Sequence, residues 1–443
     1  MDLKKLINRG IELGLAEIEV YSSESINKSI KVENGKLDSL NTKAICGYSI
    51  RGKYNGKMGY VYYENISEDM FDEIVNKIIL NASMITSTEE EILFDGNAEY
   101  QAVVNEDTNA SDYTNLDKIN LLVELEGKLK AVDPRIVKVA HNSYMENISK
   151  TRIINSKGLD LTRELGYLGA VCGVLAFENG QSTVGYGQSV AKDFNKIDKE
   201  LLVKESTDTA LNALNAGSAK TGFYETVLNR DCMSQLLSAF TGIFSSEAAL
   251  KKMTKLIGKE GEKIFGDNIV ITEDPFHPNA IVKINFDDEG YPTKTKNIVE
   301  NGVFKTFLYN LKTAQVFGKT STGNGFKAGV ESPVRVSTTT LYLQPGTKSE
   351  EELIASIEDG IYITDISGLH AGLDIISGDF NVQSSGRLIK NGKLADPVTL
   401  FVVSGNYYDM MNNVVEIANN LEDKLTGTHA PSVKISKLAI SGK

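Results

Sequence analysis

The sequence has 443 residues, 41% hydrophobic and 24% charged, ordinary globular values at a length that suggests about three domains. Its 59 Asp and Glu outnumber its 47 Lys and Arg, a net charge of −12. That balance argues against a broad nucleic-acid or anionic-membrane surface, because phosphate contacts need clustered cations.

An amphipathic helix is predicted over residues 2–14, without the apolar core or cleavage site of a secretory signal. Strand-like pieces follow: "EIEVYSS", "SIKVEN", "ICGYSIRG" and "GYVYYE". Ser67 is expected to cap the next helix, with Glu68 and Asp69 in its first turn and "MFDEIVNKIILNAS" as its body. The order recurs from Thr114: helix "NLDKINLLVELEGKLKA", strands within "RIVKVAHNSYMENISKTRIIN", "GYLGAVCGVLAFENG" and "STVGYGQSVA", then helix "DKELLVKESTDTALNALNA". Turn chemistry recurs too. Glu33-Asn34-Gly35-Lys36 matches Asn155-Ser156-Lys157-Gly158, and Asn55-Gly56 matches Asn179-Gly180. Asn-Gly between strands is the strongest short hairpin signal. Two related α+β units are expected, at 1–100 and 101–220, joined by the polar "DGNAEYQAVVNEDTNAS"; the bland alternative is a loose match between any two α+β segments.

From 221 to 443 a β-rich domain with flanking helices is expected. "DCMSQLLSAFTGIFSSEAALKKM" (231–253) reads as a helix, a break and a second helix. Glycine in mid-helix costs about 1 kcal/mol against alanine, so Gly242 marks close packing or the break. "AIVKINFDDEGYPTKTKNIVENGVFKTFLYNLKTA" reads as a meander with Asp-Glu-Gly and Glu-Asn-Gly turns. Ser349 and Glu352 form a capping box opening a short helix that Gly360 is expected to stop in the left-handed conformation. "IYITDIS", "DFNVQSSGRLIKNGK" and "VTLFVVSG" are further strands. The fold class is thus α+β and multidomain, with an N-terminal α/β part of two related helix–strand units.

No apolar run of the roughly 18 residues a transmembrane helix needs occurs, so no membrane association is expected. Cys46, Cys172 and Cys232 are scattered and odd in number, which suits a reduced cytoplasmic protein with buried thiols. His141, His277, His370 and His429 stand without a second ligand at helical metal-site spacing, so no metal ligand is assigned. Gly318-Lys319-Thr320 ends like a phosphate loop, but Thr313 stands where the first glycine belongs. Asp287-Asp288-Glu289 reads as a solvated hairpin turn rather than a metal or acid–base site. No Gly-x-Ser-x-Gly nucleophile motif occurs, and no catalytic residue is assigned. Residues 367–393 gather His370, Asp379, Asn381, Ser384 and Ser385 among glycines and strands. They are candidate peptide-binding residues, either through a strand edge that pairs with an extended peptide or, equally, plain loops between strands.

"FDDEGYPTKTKNIVENGVFKTFLYNLKTA", "STGNG", "GLHAGLDIISGDF" and "VVSGNYYDMMNNVVEIANNLE", in this order, resemble the TldD/PmbA family, described as modulators of DNA gyrase and as cytoplasmic metalloproteases. The resemblance covers nearly the whole chain and favours the PmbA (TldE) branch. It implies a two-part molecule, dimers enclosing a substrate channel, unfolded peptide substrates held by backbone pairing, and no direct nucleic-acid contact. In the TldD branch a His-Glu-x-x-x-His helix and a cysteine near the C-terminus hold the metal. Carried over, that pattern falls on "LLSAFTGI": Ser238 and Ile243 take the histidine positions, Ala239 the glutamate and Gly242 the glycine. The cysteine's region resembles "KLTGTHAPSVKI", with His429 nearby. The resemblance therefore implies no cofactor on this chain and zinc on a TldD-like subunit in a heterodimer. The alternatives are a peptide-binding scaffold homodimer without catalysis, and a stand-alone peptidase using His370, Asp379 and His429.

Overall fold

In the computed structural model, which describes residues 2–86 and 91–443, the chain opens with two units of the same order. The first is α1 (Leu3–Glu12), β1 (Glu17–Glu33), β2 (Lys36–Tyr54), β3 (Lys57–Tyr63) and α2 (Phe71–Ser83). The second is α3 (Asn115–Val132), β4 (Ile136–Asn155), β5 (Asp160–Glu178), β6 (Gln181–Ala191) and α4 (Lys199–Asn212). Their strands form one antiparallel sheet of order β3-β2-β1-β4-β5-β6. The seam is β1 on β4, from Glu19 opposite Asn155 to Lys31 opposite Ser143. The hairpins follow the expected turns: Asn34-Gly35, Asn55-Gly56 and Asn179-Gly180 all have positive φ at both positions, the signature of the tight turn that matches strand twist. Ser67 departs from expectation. A 3-10 turn, Glu68–Met70, precedes α2, and the Ser67 side chain makes no capping hydrogen bond.

The repeat extends to packing. A Cβ on Gly59 of β3 would lie 2.1 Å from the Ile78 carbonyl of α2, and one on Gly185 of β6 would lie 2.2 Å from the Ser206 carbonyl of α4. Each helix therefore rests directly on backbone that only glycine leaves bare. Gly59→Ala and Gly185→Ala are each expected to cost about 1–3 kcal/mol by overpacking. Denaturant melts of the two single variants check this, and unchanged midpoints would show that the helices can shift away.

Residues 91–109 have little regular structure and strap this sheet to the C-terminal part. The Asn105 side chain bonds the Lys283 backbone at 2.7 and 2.8 Å, and the Tyr100 hydroxyl donates to the Gly290 carbonyl at 2.9 Å.

The C-terminal part is built on a closed ring of strands. Gly222–Leu228 pairs with Asp359–Ser367, which pairs with Asp379–Lys390, then Lys393–Asn406, then Val433–Ser441, which returns to Gly222–Leu228. Closure removes the edges a sheet otherwise exposes. The strand-edge reading of residues 367–393 is thereby corrected: Asp379–Lys390 is paired on both sides. Gly360 is also corrected. It lies inside a strand, where a Cβ would meet the Glu225 carbonyl at 2.4 Å, while the capped helix Glu350–Ala355 ends at Ser356. Helix α5 (Arg230–Phe240) is the first helix of this part, followed by a 3-10 turn, Thr241–Phe244, and the helix Ser246–Leu250. Cys232, Met233, Leu236, Leu237 and Phe240 anchor α5 in the core, with Phe240 stacked on Tyr407 at 4.3 Å. All three cysteines are free; Cys172 and Cys232 are buried and Cys46 is half-buried. Among the described residues no helix is long and apolar enough to cross a membrane.

Candidate functional site

A cleft of about 1010 Å³ opens between β5, β6 and α4 on one side and α5 on the other. The core-facing residues of α5 leave Asp231, Ser234, Gln235, Ser238 and Ala239 on the cleft face, at spacings of three and four. Asn229 fixes where the helix starts, its side chain accepting from the Cys232 N–H at 2.8 Å. Ser234 ties the helix to the chain beside His429, accepting from the Ala430 N–H at 2.8 Å and donating to its carbonyl at 3.3 Å.

The charges of the cleft form two linked groups. Arg230 Nη2 pairs with Glu205 Oε1 at 2.8 Å, and its Nε lies 3.6 Å from Asp231 Oδ1. His429 Nδ1 lies 3.0 Å from Glu422 Oε2, while its Nε2 accepts from the Thr426 N–H at 2.9 Å. Burial pushes the pKa of Glu205 and of Asp231 up, with Arg230 opposing. Burial also works against ionised Glu422, but the hydrogen bond and charge of His429 outweigh it and hold Glu422 below the usual range. These residues escaped the sequence reading because only the fold brings positions 205, 230 and 422 together. Arg230-Asp231 at the head of a helix was the one local signal.

The motif positions separate. Ser238 and Ala239 line the cleft. Gly242 has space around it, the nearest atom to an added Cβ being Ile375 Cγ2 at 4.0 Å, so it marks the break and not close packing. Ile243 is fully buried in the core. Zinc takes Cys, His, Asp or Glu ligands. Serine, alanine and a buried isoleucine supply none, and both His429 nitrogens are engaged. Among the described residues no three His, Cys, Asp or Glu side chains converge as a metal site. The donor set at the motif does not fit a metal.

The second candidate group also divides. Asp379 and Asn381 point outward into a shallow groove with Ser367 and Asp374. Asp379 accepts from Asn406 Nδ2 and from Ser377 Oγ, both at 2.8 Å, and these bonds lower its pKa. His370 is exposed on the short turn Leu369–Gly372. Ser384 is buried and donates to the Val382 carbonyl at 3.2 Å; Ser385 shares a 2.8 Å bond with Thr399. Among the described residues no hydrogen bond or ion pair joins His370, Asp379 and His429.

Asp287, Asp288 and Glu289 are not a solvated turn. They are 0%, 5% and 3% exposed. Asp287 accepts from the N–H groups of Glu289, Tyr291 and Gly325 at 2.8–3.0 Å. Asp288 takes Arg163 Nη2 at 2.7 Å and the Lys327 N–H at 2.8 Å. Glu289 accepts from the Leu311 N–H at 2.7 Å. Charge-assisted bonds replace the water these carboxylates would otherwise need.

Models of the PmbA/TldA metallopeptidase match three successive stretches: domain 1 over residues 18–83, the central domain over 109–214 and the C-terminal domain over 221–442. These matches make this a metallopeptidase-like chain of three successive parts. The chain belongs to the PmbA/TldD family. It is similar to an uncharacterized protein of Methanocaldococcus jannaschii, 27% identical with 96% of each chain covered. A second protein of that archaeon, named a metalloprotease, is 26% identical over 95% of this chain and 93% of its own. The crystal structure of a candidate modulator of a DNA gyrase from Thermotoga maritima matches with a TM-score of 0.90 at 27% identity, over 99% of both chains. TldE from Thermococcus kodakarensis, 22% identical, shares the fold with a TM-score of 0.89 over 99% of this chain and 100% of that one.

Proposed function

We propose that this chain is the metal-free, TldE-type subunit of a two-chain cytoplasmic peptidase. A TldD-type partner brings the zinc, and the substrates are unfolded peptides or small proteins. The observation that carries this reading is the cleft face of α5, where Ser238 and Ala239 stand in place of a metal ligand and a general base. Without either group the chain cannot activate water at this position. What remains is a wall: a wide cleft whose charged groups are pinned by one another, suited to holding an extended chain beside a partner's metal.

The test is peptide cleavage with zinc present, by this chain alone and with a TldD-type subunit added. The expected result is no turnover alone and turnover by the pair. Zinc-dependent turnover by the pure chain would sink the proposal, and binding without cleavage even with the partner would favour the scaffold reading.

A further inference from the structure

A second cavity, of about 480 Å³, lies between the N-terminal sheet and the C-terminal part and shares no lining residue with the cleft. Its inner wall holds Glu19 of β1, Arg51 of β2, Glu289 of the buried acidic turn and Lys327 of the strand Gly325–Lys327. Glu247 and Arg335 stand at its more open side. Glu19 and Arg51 are only 2% and 8% exposed. Charges at such depth are retained when something matches them.

The matching within the chain is incomplete. Arg51 Nε donates to Glu19 Oε1 at 2.7 Å. Arg51 Nη2 lies 2.7 Å from the same oxygen, yet is sealed from water without a hydrogen bond of good direction among the described residues. Lys327 Nζ reaches the Ser49 hydroxyl at 3.2 Å and sits 5.3 Å over the Tyr21 ring, contacts that leave its charge without an ion-pairing carboxylate among the described residues. Burial and then Arg51 push the Lys327 pKa down to about 8. On the same wall, burial pushes Glu289 up to about 7 against the pull of Arg51. Gly325 makes room for that carboxylate, since a Cβ there would lie 2.4 Å from Glu289 Oε2. A lysine without an ion pair among the described residues and an arginine with an unsatisfied Nη2 thus share one cavity with a buried acid. Among the described residues, acids and bases line it in equal number, five of each.

We propose that this cavity binds a zwitterion of amino-acid or dipeptide size, its carboxylate on Arg51 and Lys327 and its ammonium on Glu289. A ligand of both signs compensates the cations and the acid together and leaves the buried net charge unchanged, whereas a lone anion would ease the cations and strain the acid, and a lone cation the reverse. The volume falls within the range of small-molecule pockets.

Calorimetric titration of the full chain tests this with a free dipeptide, the same dipeptide acetylated and amidated at its ends, and inorganic phosphate. The expected result is saturable one-to-one binding of the free dipeptide and none of the other two. Lys327→Met and Glu289→Gln, each confirmed folded by its melting curve, are expected to weaken binding about tenfold or more, as loss of a charged hydrogen bond does. Equal binding of the blocked peptide, binding of phosphate alone, no binding of the free dipeptide, or full affinity in both folded variants would each overturn the proposal. The blocked-peptide comparison uses the unaltered chain, so it decides the matter even where a variant does not fold.

Discussion

Replacing Arg163 by methionine is expected to destabilise the protein by about 3–5 kcal/mol, the cost of leaving a buried charge without its partner. Arg163 reaches from β5 across to the acidic turn. Its Nη2 holds Asp288 Oδ1 at 2.7 Å, its Nη1 donates to the Phe286 carbonyl at 2.6 Å, and its guanidinium lies over the Phe286 ring at 5.2 Å. Both side chains of the pair are below 10% exposed, at 9% and 5%. Methionine keeps part of the packing but abandons the carboxylate. Asp288→Asn added to Arg163→Met is expected to recover part of the loss, because asparagine can still accept from the Lys327 N–H without carrying a charge. Urea unfolding of the single and double variants measures both. A loss below about 1 kcal/mol for the single variant would mean that Asp288 finds water when the arginine is gone.

Grafting the metal motif back, as Ser238→His, Ala239→Glu and Ile243→His together, is expected to give no stoichiometric zinc and a stability loss of about 2–5 kcal/mol. The first two side chains would enter the cleft. The third would replace a fully buried isoleucine with a polar ring that has no evident partner in the core. Metal analysis and a denaturant melt of the same preparation check the two halves of this expectation. One zinc per chain at unchanged stability would show that residues 241–244 can rearrange and turn position 243 toward the cleft.

That third position shows where sequence reasoning stopped. On a continuous helix residues five apart lie about 140° apart, so the positions of Ser238 and Ile243 do not share a face. Ile243 keeps step with the core-facing Leu236, seven residues before it, and follows that face inward as the chain tightens into a 3-10 turn at Thr241. Ser238 and Ala239, on the preceding helix, face the cleft. Ser384 was legible and missed: in Asp379–Lys390 it keeps step with Phe380 and Val382, the inward set, while Asp379 and Asn381 keep step with the outward one. The acidic turn is a different case. Asp-Glu-Gly correctly marks a reversal, with Gly290 at φ 78°. Its buried carboxylates are held by Arg163, 125 residues from Asp288, and by the Gly325, Lys327 and Leu311 N–H groups, partners that no local pattern encodes. The same limit applies to the seam between β1 and β4. Hairpins are written in Asn-Gly turns, but the meeting of two units is written only in their shared fold.

The ring of strands has a temporal consequence. Thr221 and Gly442, 221 positions apart, are joined by hydrogen bonds at 3.0 and 3.1 Å where the first and last strands of the ring meet. Closing so long an interval is entropically slow and must precede any reward from the contacts it makes. The N-terminal sheet, built mostly from hairpins, is free to form as soon as its residues leave the ribosome. Strand Gly222–Leu228 has to wait for Val433–Ser441, and until it arrives two strand flanks stay open. A nascent chain is therefore most exposed to aggregation while Val433–Ser441 is still to come and the ring is one strand short.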